Sequence, residues 1–504
     1  MTMQSNHAQT DHAQTDHVQA DQPQTDQPRT DQPQAAEAAS DGGHPFDELA
    51  AAVRGWVVDR GGENDVALPW NFALRHDPAV TVIAADTADV TKAVRFAVEH
   101  DLAVGVQSTG HGPVLPVDGM LILTGAMSTV TIDPERRTAT IGAGATWNQV
   151  LAPAQQHGLA PLLGSAGTVG AIGYTLGGGL GWLARHFGPA CDAVRSFEVV
   201  TGSGDVVRAD ATQNVDLFTA LRGGGGGALG IVTSMEMDLF PVTDVYAGNL
   251  IYPAEAAPEI VDAWARWVAD APEELTSSVV FMNFPPLPDV PEPLRGQSFT
   301  IVRGCWSGDL AAGRELLDAW RLAHPPLIDV WSTMPFTEAA SISNDPVDPM
   351  PSSAGGGWMR RPDREIAATI AAGSFPSEGP PPVVLTEIRH LGGAVSKGSA
   401  LTSMGHRDRE FLLNCVVLAD PAPAPGTPAR PAPALTALLD ALGDAVDADT
   451  YLNFAEGEGR RRGIGTDPRA AAALRGAVRF DVDGRFRFGV DHRAAVQPGD
   501  TATA

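Results

Sequence analysis

The sequence predicts an α+β protein in which a glycine-rich domain of two α/β lobes is interrupted by a second, α+β domain built on an antiparallel sheet flanked by helices. Three observations predict it. Strand and helix patterns alternate over residues 43–245 with glycine clusters at their junctions. Longer alternating strands and amphipathic helices fill 246–444. The glycine- and arginine-rich texture then returns over 445–495, before a tail at 496–504. A chain of 504 residues exceeds one simple core, so at least two globular domains are expected.

Residues 1–42 stand apart. They repeat HAQTD-HAQTD-HVQAD-QPQTD-QPRTD, with Asp11, Asp16, Asp21, Asp26 and Asp31 in step. His7, His12 and His17 recur every fifth residue, a spacing open to weak metal capture. A reiterated tract with hardly any large apolar residue cannot offset the entropy of ordering, so disorder is the expectation.

In the α/β part, VTVIAA (80–85) reads as a strand and Asp86 as the cap of a helix through TADVTKAVRFAVEH. DLAVGVQ (101–107) reads as the next strand and runs into STGHG, a glycine-rich loop at a carboxyl strand edge, where ligands collect in such folds. LILTG, TVTID and TATIGAG follow as short strands, then a helix from Thr146 through Gln156 and the glycine stretch from Leu163 to Gly181. FEVVTGSGDVVRAD reads as a hairpin turning at Gly202-Ser203-Gly204. The helix VDLFTALR stops at five glycines, Gly223 to Gly227, and LGIVTSMEMDLF follows as a strand. In the second part SSVVFMNF, SFTIVRGCW, VVLTEIRHLGG and FLLNCVVLA read as strands and PEIVDAWARWVADA as a helix. ADPAPAPGTPARPAPA (419–434) reads as an exposed loop.

Charge and composition remove several function classes. Thirty-four Lys and Arg against 61 Asp and Glu give a net charge of −27, which repels nucleic acid and anionic membrane surfaces. No apolar run approaches the roughly 18–20 residues of a spanning helix, and MTMQSNHAQ carries no export signal, so a cytoplasmic location is expected. Cys191, Cys305 and Cys415 form no C-x-x-C, so neither a disulfide framework nor a metal site is expected. G-x-G-x-x-G fails at Trp147, and no phosphate-binding P-loop, G-x-S-x-G elbow, H-E-x-x-H or EF-hand loop occurs. Three separate glycine-rich segments (107–112, 164–179 and 223–227) remain, each a place where backbone N–H groups can approach a large dinucleotide.

PAVTVIAADTADVTKAVRFAVEHDLAVGVQSTGHG, GAGATWNQVLAPAQQHGLAPLLGSAGTVGAIGYTLGGGLGWLARHFGPACDAVRSFEVVTGSGDVVRAD and DLFTALRGGGGGALGIVTSMEMDLFPV resemble the FAD-binding (PCMH-type) domain of flavin oxidases of the vanillyl-alcohol oxidase type. YLNF (451–454) and LRGAVRFDVDGRFRFGVDH resemble the berberine bridge enzyme-like branch. The likeness is strong over 65–243, moderate over 445–493 and loose between, where VLTEIRHLGGA (384–394) matches best.

The resemblance implies FAD as cofactor. It implies that Gln107, Ser108, Thr109, Gly110, His111 and Gly112 wrap the pyrophosphate, with His111 bonded covalently to the flavin 8α-methyl. Ser165, Gly167, Thr168, Val169, Gly170 and Gly173 match positions along the flavin, Tyr174 stands where some relatives carry histidine, and Gly178 and Gly179 allow close approach. Ile231 and Val232 match the strand beside the adenine half. Where many members carry a second, cysteinyl tether this chain has Ala166, and Cys191 reads as core, so one covalent link is implied. Gly227, Ala228 and Leu229 depart from the usual G-G-N-F-G. His157 reads as a helix-end cap. Tyr451 and Asn453, on one side of a strand by alternation, are the implied substrate-orienting and flavin-contacting residues. Glu387 and Arg389 alternate with His390, so at most one set faces the flavin, and a salt bridge between the first two is equally open.

The expected chemistry is oxidation of a C–H bond in an alcohol, sugar or secondary metabolite, a small-molecule substrate, with dioxygen as the second partner. A dehydrogenase using another electron acceptor and an inactive flavin-binding protein are the alternatives. Substrate identity, the catalytic base and oligomeric state are not legible in the sequence.

Overall fold

The structure, a computed structural model, describes residues 45–491 apart from 61–65, 113–114, 226–227, 376–380, 458–467 and positions 289, 382, 429, 431, 448 and 450. The N-terminal repeat, Gly227 and the 496–504 tail lie outside the described residues. Among the described residues no helix is long and apolar enough to cross a membrane.

A four-stranded sheet runs Trp56–Asp59, Val80–Ile83, Met120–Leu123, Val104–Gln107; the first pair is antiparallel and the other pairs parallel. The helix Thr87–Glu99 lies against it because Val90, Ala93, Val94 and Ala97 share one face and are all buried. Asp86 caps that helix through the Asp89 amide, as the sequence predicts. Asp89 itself is fully buried and accepts from the amides of Arg54, Gly55 and Ala85 at 2.8–3.0 Å, tying the helix to the preceding chain. The parallel strand Val104–Gln107 ends at the loop that bears His111.

A five-stranded antiparallel sheet follows, in the order Val130–Asp133, Thr138–Gly142, Ile231–Asp238, Val194–Val200, Val206–Asp210. Its hairpin turns at Gly204, whose φ of +79° suits glycine. Both sheets feed one apolar core with Trp147, Phe197 and Phe218 at its centre. The two sheets are the two α/β lobes that the sequence predicts.

The third sheet has eight strands. Ile328–Asp329, Asp244–Pro253, Ser298–Trp306, Leu275–Asn283, Leu385–His390, Phe411–Leu418 and Ser352–Met359 lie side by side, and Ser332–Pro335 also pairs with Asp244–Pro253. All its pairings are antiparallel. One face carries Leu250, Val279, Val302, Ile388 and Leu413 against the helices Ala257–Trp267, Arg364–Ser374 and Pro433–Leu442. The opposite face presents Ser278, Arg303, Glu387 and Arg389, the period-two consequence of the pairing Ser278↔Arg389 and Ser278↔Arg303.

Some expectations change. Ser352–Met359 (SSAGGGWM) is a strand that the sequence does not announce. Its central glycine is required by proximity: a Cβ on Gly356 would fall 2.0 Å from the Leu413 carbonyl oxygen. The Pro-rich 419–434 segment is not wholly exposed, because Ala422 is buried and donates its N–H to the Phe72 carbonyl at 2.8 Å. YLNF is no strand. Residues 452–454 form a single 3-10 turn closed by Phe454 N–H to Tyr451 O at 2.9 Å, so alternation does not orient Tyr451 and Asn453. His157 lies exposed just beyond the helix Trp147–Gln155. The three cysteines are free and buried. Burial pushes the Cys191 thiol up to about 12 and Cys415 to about 11, and raises Cys305 as well.

Candidate active site

A cavity of about 370 Å³ opens at the carboxyl end of Val104–Gln107. Gln107, Ser108, Thr109, Gly110, His111 and Gly112 line one side; Ser165, Ala166, Val169, Gly170, Gly173 and Tyr174 line another; Ile231, Val232 and Asn453 complete it. Gly167, Thr168, Gly178, Gly179 and Tyr451 stand outside this lining. Gly167 is pressed on Asn148, where a Cβ would lie 1.8 Å from Oδ1, and Thr168 reaches the site through His111.

The cavity wall fits a large dinucleotide. Ser108, on the wall, keeps a buried Oγ with no hydrogen-bond partner among the described residues. A Cβ on Gly173 would meet nothing within 4 Å, so backbone there faces open space. Gly110 takes a φ of +76°, and a Cβ on it would fall 2.6 Å from the Pro69 Cα, so the loop turns there only with glycine. Gln107 to Gly112 and Gly170 to Gly173 are thus the segments that would hold FAD.

His111 sits on the wall with its ring stacked on Trp70, centroids 4.3 Å apart and planes 17° from parallel. Its Nε2 is 3.3 Å from Thr168 Oγ1. Burial lowers its pKa to about 4, so the imidazole is neutral at physiological pH. His76 accepts the Val117 N–H at Nδ1 (3.0 Å), which leaves its Nε2–H to donate to Gln107 Oε1, also at 3.0 Å. That bond orients the first residue of the loop. Trp70 and His76 escaped the sequence reading; both lie in WNFALRH, a stretch without periodicity before the first parallel strand. Phe454, Phe488 and Gly489, also on the wall, come from the C-terminal segment.

Beyond the cavity, Asn453 Nδ2 donates to the Tyr174 carbonyl at 2.9 Å and to the Tyr451 hydroxyl at 3.2 Å. The Tyr451 oxygen also accepts from Gly179 N–H at 2.9 Å, so both its lone pairs are engaged. Burial raises its pKa, with Cys191 adding to the shift, and it remains a phenol. Tyr451 lines a separate small pocket with Trp358, Met404 and His406. The Tyr174 ring packs edge-on to Trp147, and its buried hydroxyl has no partner among the described residues.

Glu387 and Arg389 form the salt bridge left open by the sequence, 2.8 Å long and buried, with Arg303 on the other carboxylate oxygen at 2.9 Å. Burial alone would raise the Glu387 pKa, but the two guanidiniums outweigh it and hold it at about 2. Arg389 also donates to the Leu180 carbonyl (2.6 Å) and lies 5.2 Å over the Phe454 ring, immediately behind the cavity wall. His390 faces the other way. Its Nε2 accepts from Arg185 at 3.1 Å, and its ring packs near Trp264 and Phe411. Ala166 lines the cavity, whereas Cys191 does not.

Comparison with known proteins adds to this geometry. Residues 78–210 match the family model described as the FAD binding domain. The chain is 27% identical over 365 residues to the uncharacterised FAD-linked oxidoreductase YgaK of Bacillus subtilis, covering 70% of this chain and 78% of that one. Matches to several fungal FAD-linked oxidoreductases span only 33–40% of their length. The fold superposes on 6-hydroxy-D-nicotine oxidase from Arthrobacter nicotinovorans (TM-score 0.73, 22% identity, 87% of this chain and 98% of that one). It likewise superposes on the glucooligosaccharide oxidase of Acremonium strictum, described with a 6-S-cysteinyl, 8α-N1-histidyl FAD (TM-score 0.72, 19% identity, 89% and 98%). Fold, cavity and sequence match together support an FAD-dependent oxidoreductase with its FAD binding domain over residues 78–210. A BBE-like protein of Physcomitrella patens shares the fold as well (TM-score 0.73, 18% identity, 88% of this chain and 98% of that one).

Proposed function

We propose that the protein carries FAD joined through a single histidine, His111, and oxidises a C–H bond next to oxygen or nitrogen in an alcohol, sugar or secondary metabolite. When bound, the flavin supplies a hydride acceptor at N5 and passes the electrons to dioxygen, giving hydrogen peroxide. The observation that carries this reading is the placement of His111: a neutral imidazole on the wall of a glycine-lined cavity that has Ala166, not cysteine, on its lining.

In this reading the 107–112 loop binds the pyrophosphate through backbone amides, and Gln107 is held in orientation by His76. Ser108 Oγ supplies a hydrogen bond that none of the described residues uses. Tyr451 orients substrate as a donor. With both lone pairs engaged and its pKa raised, the O–H proton is its remaining function. The Arg303–Glu387–Arg389 triad, locked behind Phe454, is scaffold for the substrate side and not a base.

Acid precipitation tests the reading. Wild-type protein should stay yellow in the pellet, and His111→Ala should bind FAD that acid releases. An acid-stable adduct in His111→Ala defeats the attachment assignment. A panel of alcohols, sugars and amines followed by peroxide release tests the oxidase assignment; flavin bleaching without peroxide would show a dehydrogenase.

A further inference from the structure

Resting on that covalent reading, we propose that Trp70 and Thr168 are the pair that positions His111 for attachment, Trp70 fixing the plane of the imidazole and Thr168 anchoring its Nε2, so that Nδ1 is the nitrogen left to react. Neither residue contributes to the site in any other way that its contacts reveal. Among the described residues Trp70 Nε1 is buried without a partner, so the ring acts through its face, and the hydrogen bond of Thr168 to the site goes to Nε2 of His111.

The Trp70 ring is mounted on a fixed support. Its carbonyl accepts from Met350 N–H at 3.2 Å, and the next residue, Asn71, holds the strand Ser352–Met359 at both ends of its amide. Asn71 Oδ1 accepts from Ser352 N–H at 3.1 Å, and Nδ2 donates to Ser352 O at 3.0 Å. Asn71 N–H also reaches the Gly110 carbonyl at 3.4 Å. The plane against which His111 lies is therefore set jointly by the cofactor loop and by a strand of the large antiparallel sheet.

Thr168 occupies Nε2, 3.3 Å from its Oγ1, and so leaves Nδ1 as the nitrogen that can act as nucleophile. In the tautomer with the proton on Nε2, that nitrogen donates to Oγ1 and Nδ1 carries the lone pair. When Nδ1 bonds to the 8α-carbon, one C–H proton and the Nε2 proton leave, and two electrons pass to the ring system. Dioxygen takes those two electrons and two protons as hydrogen peroxide. Nε2 is then left with a lone pair, which accepts from the same hydroxyl turned round. A threonine or serine hydroxyl serves both states; valine, of the same shape, serves neither.

The test compares wild type, Thr168→Ser, Thr168→Val, Trp70→Phe and Trp70→Leu. Total flavin is read from absorbance, and the covalent share from flavin retained in the acid pellet over a time course with added FAD. Thr168→Ser and Trp70→Phe should match wild type. Thr168→Val and Trp70→Leu should bind FAD yet attach it at least tenfold more slowly. Full-speed attachment in Thr168→Val, or an equal loss in Thr168→Ser, overturns the anchoring of Nε2. Full-speed attachment in Trp70→Leu overturns the stacking role; if that variant does not fold, Thr168→Val decides the proposal. A wild type that releases all its flavin overturns the covalent reading and the positioning with it.

Discussion

The side-chain amide of Asn453 reaches the hydroxyl of Tyr451 at 3.2 Å while holding the Tyr174 carbonyl at 2.9 Å. One nitrogen thus joins the C-terminal segment to the helix Ala171–Leu176 on the cavity wall. Asn453→Leu should leave the Tyr174 carbonyl unpaired and cost about 1–3 kcal/mol in urea unfolding. A loss within error of zero would show that the contact is ornamental.

Glu387 neutralises two buried guanidiniums. Glu387→Gln strands Arg303 and Arg389 without a counter-charge, and should cost about 3–5 kcal/mol. Denaturant midpoints measure it; an unchanged midpoint would mean that water or backbone carbonyls already carry the two arginines.

Stability should fall on acidification. Burial, with Arg185 adding to it, holds His390 at about 2, below the 6.5 of an exposed histidine. The unfolded chain therefore binds more protons between those values, so stability is lost as pH drops below about 6.5. His76, lowered by burial, acts in the same direction. His390→Gln keeps an acceptor for Arg185 and should reduce the pH slope over that window by about 1.4 kcal/mol per pH unit. An identical slope in both proteins would refute the assignment.

Two glycines separate cofactor binding from folding. A Cβ on Gly173 meets nothing within 4 Å, whereas one on Gly181 would lie 1.8 Å from the Leu163 carbonyl oxygen. Gly173→Val should fold with near-wild-type denaturant resistance in the flavin-free state yet bind less FAD. Gly181→Ala should be destabilised by about 1–3 kcal/mol with or without flavin. The reverse pattern would place the ligand elsewhere.

The parts of the fold legible in the sequence were those with period and punctuation. Asp86 before a helix whose apolar positions recur at i, i+3, i+4 and i+7, and the Gly202–Gly204 turn between two alternating runs, announce themselves. Ser352–Met359 stayed hidden because three consecutive glycines erase both propensity and alternation; only tertiary neighbours explain them, Leu413 at Gly356 and the Asp447 and Asp449 carbonyls at Gly357. YLNF has the composition of a strand, and the local bond from Phe454 to Tyr451 overrides it. At the site, glycine spacing revealed the 107–112 and 164–173 walls. Trp70 and His76 could not be read, because their partners His111, Gln107 and Val117 are distant in sequence and are brought together by the parallel strand order.

The buried thiols bear on durability. On the proposed chemistry, each turnover releases an equivalent of an oxidant that attacks thiolates. Cys191, Cys305 and Cys415 are sealed from solvent and held protonated at neutral pH. Such a catalyst offers its own product no thiolate to oxidise, and its working lifetime would be set by methionine oxidation or unfolding, not by cysteine damage.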